Sequence, residues 1–255
     1  MSPLAADRLS VRIGAVQVCR ELDLSFGAGQ CWAVLGRNGV GKTTLLLTLA
    51  GLRHPQSGAI RLAGQDLAGL PRRAIARRLG FMPQDNADPF PATVMETALA
   101  GRHPHLSPWA WEGPEDRAAA RAALAQVGLA GCEDRMVQTL SGGERRRLAL
   151  ATLLAQDPGI LLLDEPASHL DLHHQVELLG HLAALARERN RLVVMVLHDL
   201  NLAARFCDHC LLLAGDAEVV SGTTAEVMRP ERLTRAYGHP LVRIECDGRR
   251  AWLPE

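Results

Sequence analysis

The chain has 255 residues, of which 47% are hydrophobic, and its 28 basic and 28 acidic residues give a formal net charge of zero. The length suits one domain with a buried core, and the balanced charge gives no general electrostatic reason to expect a nucleic-acid partner. No apolar run is long enough to cross a bilayer, and no charged segment with an apolar core opens the chain, so we expect neither a membrane-spanning helix nor a signal peptide.

Residues 1–84 predict β-strands around a glycine-rich loop. The segment Gly36-Arg37-Asn38-Gly39-Val40-Gly41-Lys42-Thr43 has the spacing of a phosphate loop, follows the apolar run 31–35 and precedes the helical run 44–50, which begins at Thr44. Glycines let successive N–H groups turn toward an anion. Lys42 supplies charge for the β and γ phosphates, and Thr43 offers a hydroxyl to Mg²⁺. This segment therefore predicts a nucleotide site.

Residues 85–138 interrupt the strand pattern and predict a helical insertion. Helical periodicity covers 94–99 and 115–127, and the intervening loop contains Trp109 and Trp111. These tryptophans either form an exposed docking surface or pack the two helices together.

The segment Leu140-Ser141-Gly142-Gly143-Glu144 precedes a helix predicted from about residue 144 to 156. The N–H groups of Ser141, Gly142 and Gly143 would form a second anion-binding helix start, with no phosphate in their own chain. Alternatively, Glu144 lies three residues after Ser141, as in an ordinary capped helix start. The following Arg145-Arg146-Arg147 is interpreted as a solvated helix face.

Three apolar runs end in polar residues, as buried parallel strands do when their carboxyl ends form a site. The runs end at Gly36, at Asp164-Glu165 and at His198. Asp164 could hold Mg²⁺, Glu165 could orient or deprotonate a water, and His198 could contact the transferred phosphate. An acidic pair at a helix start is the alternative for Asp164-Glu165.

From residue 158 onward strands and helices alternate again, with a predicted helix at 176–187 and a tail of short strands around one helix at 225–237. The six cysteines are scattered and predict reduced thiols. The only close pair, Cys207-Asp208-His209-Cys210, predicts a helix-to-strand connection rather than a metal site.

The Leu140–Glu144 segment resembles the signature motif of ATP-binding-cassette ATPases. The order of phosphate loop, Gln84, signature, Asp164-Glu165, Ser168-His169-Leu170-Asp171 and His198 is similar to that family over nearly the whole chain. The resemblance implies one α/β domain with a P-loop NTPase (RecA-like) core, a mainly parallel sheet and an N-terminal antiparallel β subdomain. Residues 1–84 and 139–255 would form the core with its β subdomain, and residues 85–138 the inserted α-helical subdomain.

The resemblance also implies a homodimer that hydrolyses ATP with Mg²⁺. Two copies would assemble head to tail, with the signature of one over the ATP of the other. Mg²⁺ would be held by Thr43, Gln84 and Asp164, and catalysis would use Glu165 as the base together with His198. The nucleotide-binding residues would be Gly36, Arg37, Asn38, Gly39, Val40, Gly41, Lys42, Thr43, Thr44, Gln84, Ser141, Gly142, Gly143, Asp164 and, at the dimer contact, Asp171.

Three further segments, Gly101–His105, Leu140–Arg147 and Ser168–Gln175, resemble the ATPases of bacterial importers for iron chelates, haem and vitamin B12. This implies a peripheral subunit at the cytoplasmic face of the bacterial inner membrane. Its partners would be integral membrane permease subunits and, indirectly, a substrate-binding protein. Another class of ABC transporter, such as an exporter, or a non-transport P-loop ATPase or kinase is the alternative.

One position departs from the family pattern. Where family members usually carry an aromatic residue that stacks on adenine, this chain has Arg12-Ile13-Gly14. Ile13 has no π face, so we expect that stacking on the base is weaker or comes from elsewhere, and selectivity for adenine over guanine stays open.

Overall fold

The structure is a computed structural model that describes residues 2–84, 91–107, 109–168, 170–246 and 249–255. Residues 85–90, at the start of the predicted insertion, and His169 lie outside the described residues.

Strands and helices alternate along most of the chain. In chain order, the strands are β1 (Leu4–Ile13), β2 (Val16–Phe26), β3 (Cys31–Gly36), β4 (Ser57–Leu62), β5 (Gln65–Asp66), β6 (Leu79–Met82), β7 (Ile160–Asp164), β8 (Leu192–Val196), β9 (His209–Gly215), β10 (Glu218–Thr223), β11 (Leu241–Cys246) and β12 (Arg249–Pro254). The helices are α1 (Lys42–Leu49), α2 (Arg72–Ala76), α3 (Val94–Ala100), α4 (Pro114–Gln126), α5 (Gly142–Gln156), α6 (Leu172–Arg189), α7 (Leu200–Phe206), α8 (Thr224–Val227) and α9 (Pro230–Tyr237).

The main sheet has the strand order β10-β9-β3-β8-β7-β6. Its strands pair in parallel from β9 to β6, and only β10 runs antiparallel, at one edge. The three strands predicted to end at a common site, β3, β8 and β7, are neighbours. A second sheet, β2-β1-β4-β5, is antiparallel. The predicted combination of a mainly parallel core and an N-terminal antiparallel subdomain is confirmed.

The central strands are apolar throughout because both faces of the main sheet are covered. Along β7, Leu161 and Leu163 point to the core shared with α5 and α6, whereas Ile160 and Leu162 point to the core shared with α1 and the antiparallel sheet. Side chains alternate across a strand, so one continuous apolar run fills two cores.

The segment predicted as a helical insertion contains α3 and α4, which begin and end within one residue of their predicted bounds and pack against α5. Trp109 and Trp111 in the loop between them are 101% and 89% exposed, so the alternative that they pack the helices together is wrong. Among the described residues, no helix has both the length and the apolar character needed to span a membrane.

The predicted single helix at 225–237 is wrong. The segment forms α8 and α9, separated at Met228-Arg229, because Pro230 has no N–H for a helical hydrogen bond and forces Arg229 into an extended conformation. The predicted helix-to-strand connection at 207–210 is confirmed, with Cys207 and Cys210 buried where α7 gives way to β9. Cys19, Cys31, Cys132, Cys207 and Cys210 are free thiols.

Candidate active site

The phosphate loop connects β3 to α1 and needs glycine at two positions. Gly36 has φ +143°, and a Cβ there would lie 2.6 Å from the Leu213 carbonyl oxygen. Gly41 has φ +105°, and a Cβ there would lie 2.4 Å from Val18 Cγ2. No side chain caps Gly41 at the start of α1. The positive end of this helix is therefore available to an anion.

Lys42 lies across the loop. Its side chain is buried, and its Nζ donates hydrogen bonds to the carbonyl oxygens of Gly36 (2.8 Å) and Arg37 (3.0 Å). Burial lowers the pKa of this amine, while the charges of Glu165 and Asp164 oppose the shift. Lys42 is the only lysine in the chain, since the other 27 of the 28 basic residues are arginines. A compact ammonium with three donors can still reach a phosphate oxygen with the third.

Asp164, at the carboxyl end of β7, is fully buried. Neither of its carboxylate oxygens accepts a hydrogen bond of ordinary geometry from a described residue. Burial raises the pKa of this carboxyl, and the nearby Thr43 hydroxyl opposes the shift. Buried oxygen atoms without partners are costly unless a ligand completes them, and Mg²⁺ takes oxygen ligands. The orphaned carboxylate beside a hydroxyl therefore fits a magnesium ion.

Glu165 and His198 meet at the ends of neighbouring strands β7 and β8. Glu165 Oε1 lies 2.5 Å from His198 Nε2, and the side chains are 15% and 45% exposed, respectively. Glu165 has φ +50°, a left-handed conformation that is uncommon for this residue type and that clusters at functional sites. The pair could accept a proton from a water and stabilise the charge that develops.

Most of the predicted site residues line one cavity of about 460 Å³, but Gly36 and the buried Asp164 do not line it. Of the predicted nucleotide-binding residues in the loop, those that line it are Asn38, Gly39, Gly41, Lys42, Thr43 and Thr44. Gln84, Glu165 and His198 line it from the ends of other strands. Arg37 instead supplies a carbonyl oxygen to Lys42, and Val40 packs against the core.

Ile13 also lines this cavity and is 42% exposed. No Phe, Tyr or Trp side chain from the described residues lines it. Ile13 therefore contributes an aliphatic side chain to the cavity at the position where the family pattern has an aromatic one.

Ser141, Gly142, Gly143 and Asp171 do not line this cavity. Ser141 Oγ accepts a hydrogen bond from the Glu144 N–H (3.2 Å), and Glu144 Oε2 accepts one from the Ser141 N–H (2.8 Å). Arg135 bonds to the same carboxylate and, with the Ser141 N–H, lowers the pKa of Glu144 to about 2. The capped helix start considered as an alternative is therefore present. Asp171 caps α6 by a single backbone hydrogen bond, which its Oδ1 accepts from the His174 N–H at 2.9 Å.

Two supporting residues were missed by the sequence reasoning. The Tyr237 hydroxyl accepts a hydrogen bond from the Gly36 N–H at 3.2 Å, and burial raises its pKa to about 12. No local signal points to it, because it lies 201 residues away. The interpretation of Arg145-Arg146-Arg147 as a solvated face is wrong for Arg146, which is 6% exposed. Helical spacing to buried Leu150 and Leu153 would have placed it on the inward face.

Comparison with known proteins agrees with this geometry. The family model described as ABC transporter matches residues 19–168. The chain belongs to the ABC transporter family. As a member, it is an ABC-type ATPase, and the predicted family and fold class are confirmed.

Several relatives of this ABC ATPase are named as import or transport ATP-binding proteins. It is 36% identical to the iron(3+)-hydroxamate import ATP-binding protein FhuC of Bacillus subtilis (93% of this chain, 88% of that protein). It is 37% identical to the ferric enterobactin transport ATP-binding protein FepC of Escherichia coli (92% and 87%). It is 40% identical to the hemin import ATP-binding protein HmuV of Gloeobacter violaceus (92% and 87%).

Solved structures share the fold of this ABC ATPase. A transporter of the metal-chelate type in an inward-facing conformation matches with a TM-score of 0.88 and 29% identity, over 100% of this chain and 98% of that chain. A dimeric ATP-binding cassette in a post-hydrolysis state, bound to ADP and Pi, matches with a TM-score of 0.75 and 26% identity, over 87% and 98%.

Proposed function

We propose that this ABC ATPase is the ATP-hydrolysing subunit of an importer for an iron–siderophore, haem or cobalamin-type substrate. It would act peripherally at the cytoplasmic face of the bacterial inner membrane, on separate permease subunits, with a substrate-binding protein acting indirectly. The observation that carries the proposal is the single cavity that joins Lys42, Gln84 and the Glu165–His198 pair. The relatives named for iron(3+)-hydroxamate import, ferric enterobactin transport and hemin import support the substrate class.

The residues around the cavity suggest how ATP would be held. Loop N–H groups and the third Lys42 donor would bind the β and γ phosphates. Thr43, Gln84 and Asp164 would hold Mg²⁺, which when bound supplies charge that neutralises the phosphate oxygens. The orphaned oxygens of Asp164 support this assignment.

In hydrolysis, Glu165 would act as the general base. Water attacks the γ phosphorus, the Glu165 carboxylate takes the water proton, and the bond from the phosphorus to the β–γ bridging oxygen breaks to release ADP and phosphate. His198, 2.5 Å from the carboxylate, would keep it oriented and stabilise its charge before the proton arrives.

Two copies of the chain would complete the site head to tail. Ser141, Gly142 and Gly143 open a 15-residue helix and do not line their own chain's cavity, so their anion would belong to a second copy. Asp171 would lie at the same contact. The similarity to a dimeric cassette supports this arrangement.

The assembly is tested by size-exclusion chromatography with light scattering on the Glu165→Gln chain, with and without Mg²⁺ and ATP. Slowed hydrolysis should trap a dimer that forms only with both ligands. Adding Ser141→Arg should abolish the dimer, because the long side chain would occupy the space in front of the α5 start that the phosphate of the second copy has to enter. A monomer under every condition would contradict the composite site.

The import role is tested by uptake of a labelled ferric siderophore, haem and cobalamin into cells that carry the wild-type chain or Lys42→Ala. We expect uptake of one of these substrates to be lost in the variant. Uptake of all three at wild-type rates would contradict the proposal. Recovery of the chain with a polytopic membrane protein is expected from the same cells.

A further inference from the structure

Arg146 lies on α5, in the helix that begins at Ser141, and its side chain is 6% exposed. A guanidinium has five N–H donors in a flat, rigid fork. In this chain each donor has a backbone carbonyl acceptor. Nε donates to Pro166 (3.2 Å), Nη1 to Pro83 (2.8 Å) and Gln84 (2.6 Å), and Nη2 to Asp164 (2.5 Å) and Glu165 (2.6 Å).

The acceptors belong to two segments that carry the chemistry. Pro83 and Gln84 follow β6, and Gln84 lines the cavity. Residues 164–166 form the end of β7 and the segment after it, and they include the proposed metal ligand and base. One side chain from the helix that begins at Ser141 therefore joins both catalytic segments. Few other side chains could do this, because among side chains only a guanidinium offers five N–H donors in one rigid fork.

The contact at Glu165 bears on its unusual backbone. Its carbonyl oxygen accepts from Arg146 Nη2 (2.6 Å), from the Ser168 N–H (3.1 Å) and from Ser168 Oγ (2.9 Å). A non-glycine residue remains at φ +50° only when the surroundings over-determine it. Three donors on one carbonyl supply such a constraint, and the carboxylate of the same residue is the one that meets His198.

We propose that Arg146 is a positioning residue that fixes the backbones of Glu165 and Gln84 relative to the helix start at Ser141. This inference rests on the proposed function. Arg146 would set the positions of the Glu165 carboxylate and the Gln84 amide around the γ phosphate, whereas Lys42 and the phosphate loop would hold the nucleotide. Losing it should therefore reduce turnover and leave ATP binding intact.

The test uses the full-length chain and compares wild type with Arg146→Gln, Arg146→Lys and, as a matched control, Arg145→Gln. Arg145 lies next to Arg146 and is exposed, and it also donates to carbonyl oxygens, at Leu140 and Gln138. Steady-state ATP hydrolysis gives kcat and KM, a fluorescent ATP analogue gives the affinity, and thermal unfolding reports the fold.

We expect kcat of Arg146→Gln to fall about 100-fold with KM and nucleotide affinity within about threefold of wild type, because misplaced catalytic groups cost turnover. Arg146→Lys can donate at most three hydrogen bonds, so its kcat should fall about tenfold. Arg145→Gln should keep the wild-type values.

An unchanged kcat in Arg146→Gln would overturn the inference. Loss of nucleotide affinity and of thermal stability as large as the loss of kcat in both Arg146 variants would also overturn it, since Arg146 would then support only the fold. A wild-type chain that binds no ATP would instead overturn the proposed function itself.

Discussion

The starts of α1 and α5 are both glycine-rich, but only the start of α1 shares a cavity with Gln84, Glu165 and His198 of its own chain. At α1, no side chain caps Gly41, and the sheet brings Asp164, Glu165 and His198 beside a buried lysine. At α5, Ser141 and Glu144 cap each other in an exposed segment away from that cavity. The difference teaches that a helix start becomes a catalytic anion site only where the sheet brings charged groups to it.

The largest expected effect is a loss of ATP affinity on substitution of Lys42, which lies at the α1 start and has no counterpart at the α5 start. Lys42→Ala should weaken ATP binding about 100-fold, because the buried charge and its phosphate contact are lost together. Titration calorimetry measures the affinity. Because the chain has no other lysine, an amine-directed acylating reagent should modify Lys42 besides the terminal amine, and ATP should protect it. Unchanged affinity would contradict the phosphate-loop assignment.

A matched pair of glycine substitutions tests whether the two starts differ in backbone demand. Gly41→Ala should lower the free energy of unfolding by about 2 kcal/mol, since alanine would be strained at φ +105° and would meet Val18. Gly142 has open space around its Cβ position. Gly142→Ala should leave the stability unchanged or raise it by up to about 1 kcal/mol, because alanine favours helix. Denaturant unfolding measures both, and equal losses would contradict the comparison.

A smaller effect, a gain in ATP affinity, is expected at Ile13, where the family pattern places a ring that stacks on adenine. Ile13→Tyr should tighten ATP binding about tenfold, because a base stacked on an aromatic ring gains about 1–3 kcal/mol. Ile13→Leu is the control, since it keeps the aliphatic character. Affinities for ATP and GTP should be similar in the wild-type chain, and a strong wild-type preference for ATP would show that adenine is recognised elsewhere.

The smallest expected effect is on the pH dependence of thermal stability, and it involves the α5 start alone. The Arg135 hydrogen bond and the Ser141 N–H lower the pKa of Glu144 from 4.5 to about 2. A carboxyl whose pKa is lowered by folding stabilises the folded state fully above pH 4.5, and this stabilisation is lost as the pH falls toward 2. The thermal midpoint of wild type should therefore approach that of Glu144→Gln between pH about 5 and about 3. A constant difference over this range would contradict it.

The sequence by itself determined the phosphate loop, the strands that carry Asp164 and His198, the bounds of α3 and α4, and the family. These features are local: a glycine spacing, an apolar run or a helical period is decided by neighbouring residues. The signal that ends α8 before Pro230 is also local, but the sequence prediction of one helix over 225–237 did not use it.

Only the tertiary structure decided which polar groups meet. Arg146 contacts Gln84 and Glu165 across 62 and 19 residues, and Tyr237 supports Gly36 across 201. The sheet buries the Asp164 carboxylate beside the phosphate loop, where neither oxygen accepts an ordinary hydrogen bond from a described residue. Hydrogen bonding and burial depend on distance in space, which a pattern of neighbours along the chain does not contain. The sequence therefore located the chemistry, and the packing of sheet on helix assembled it.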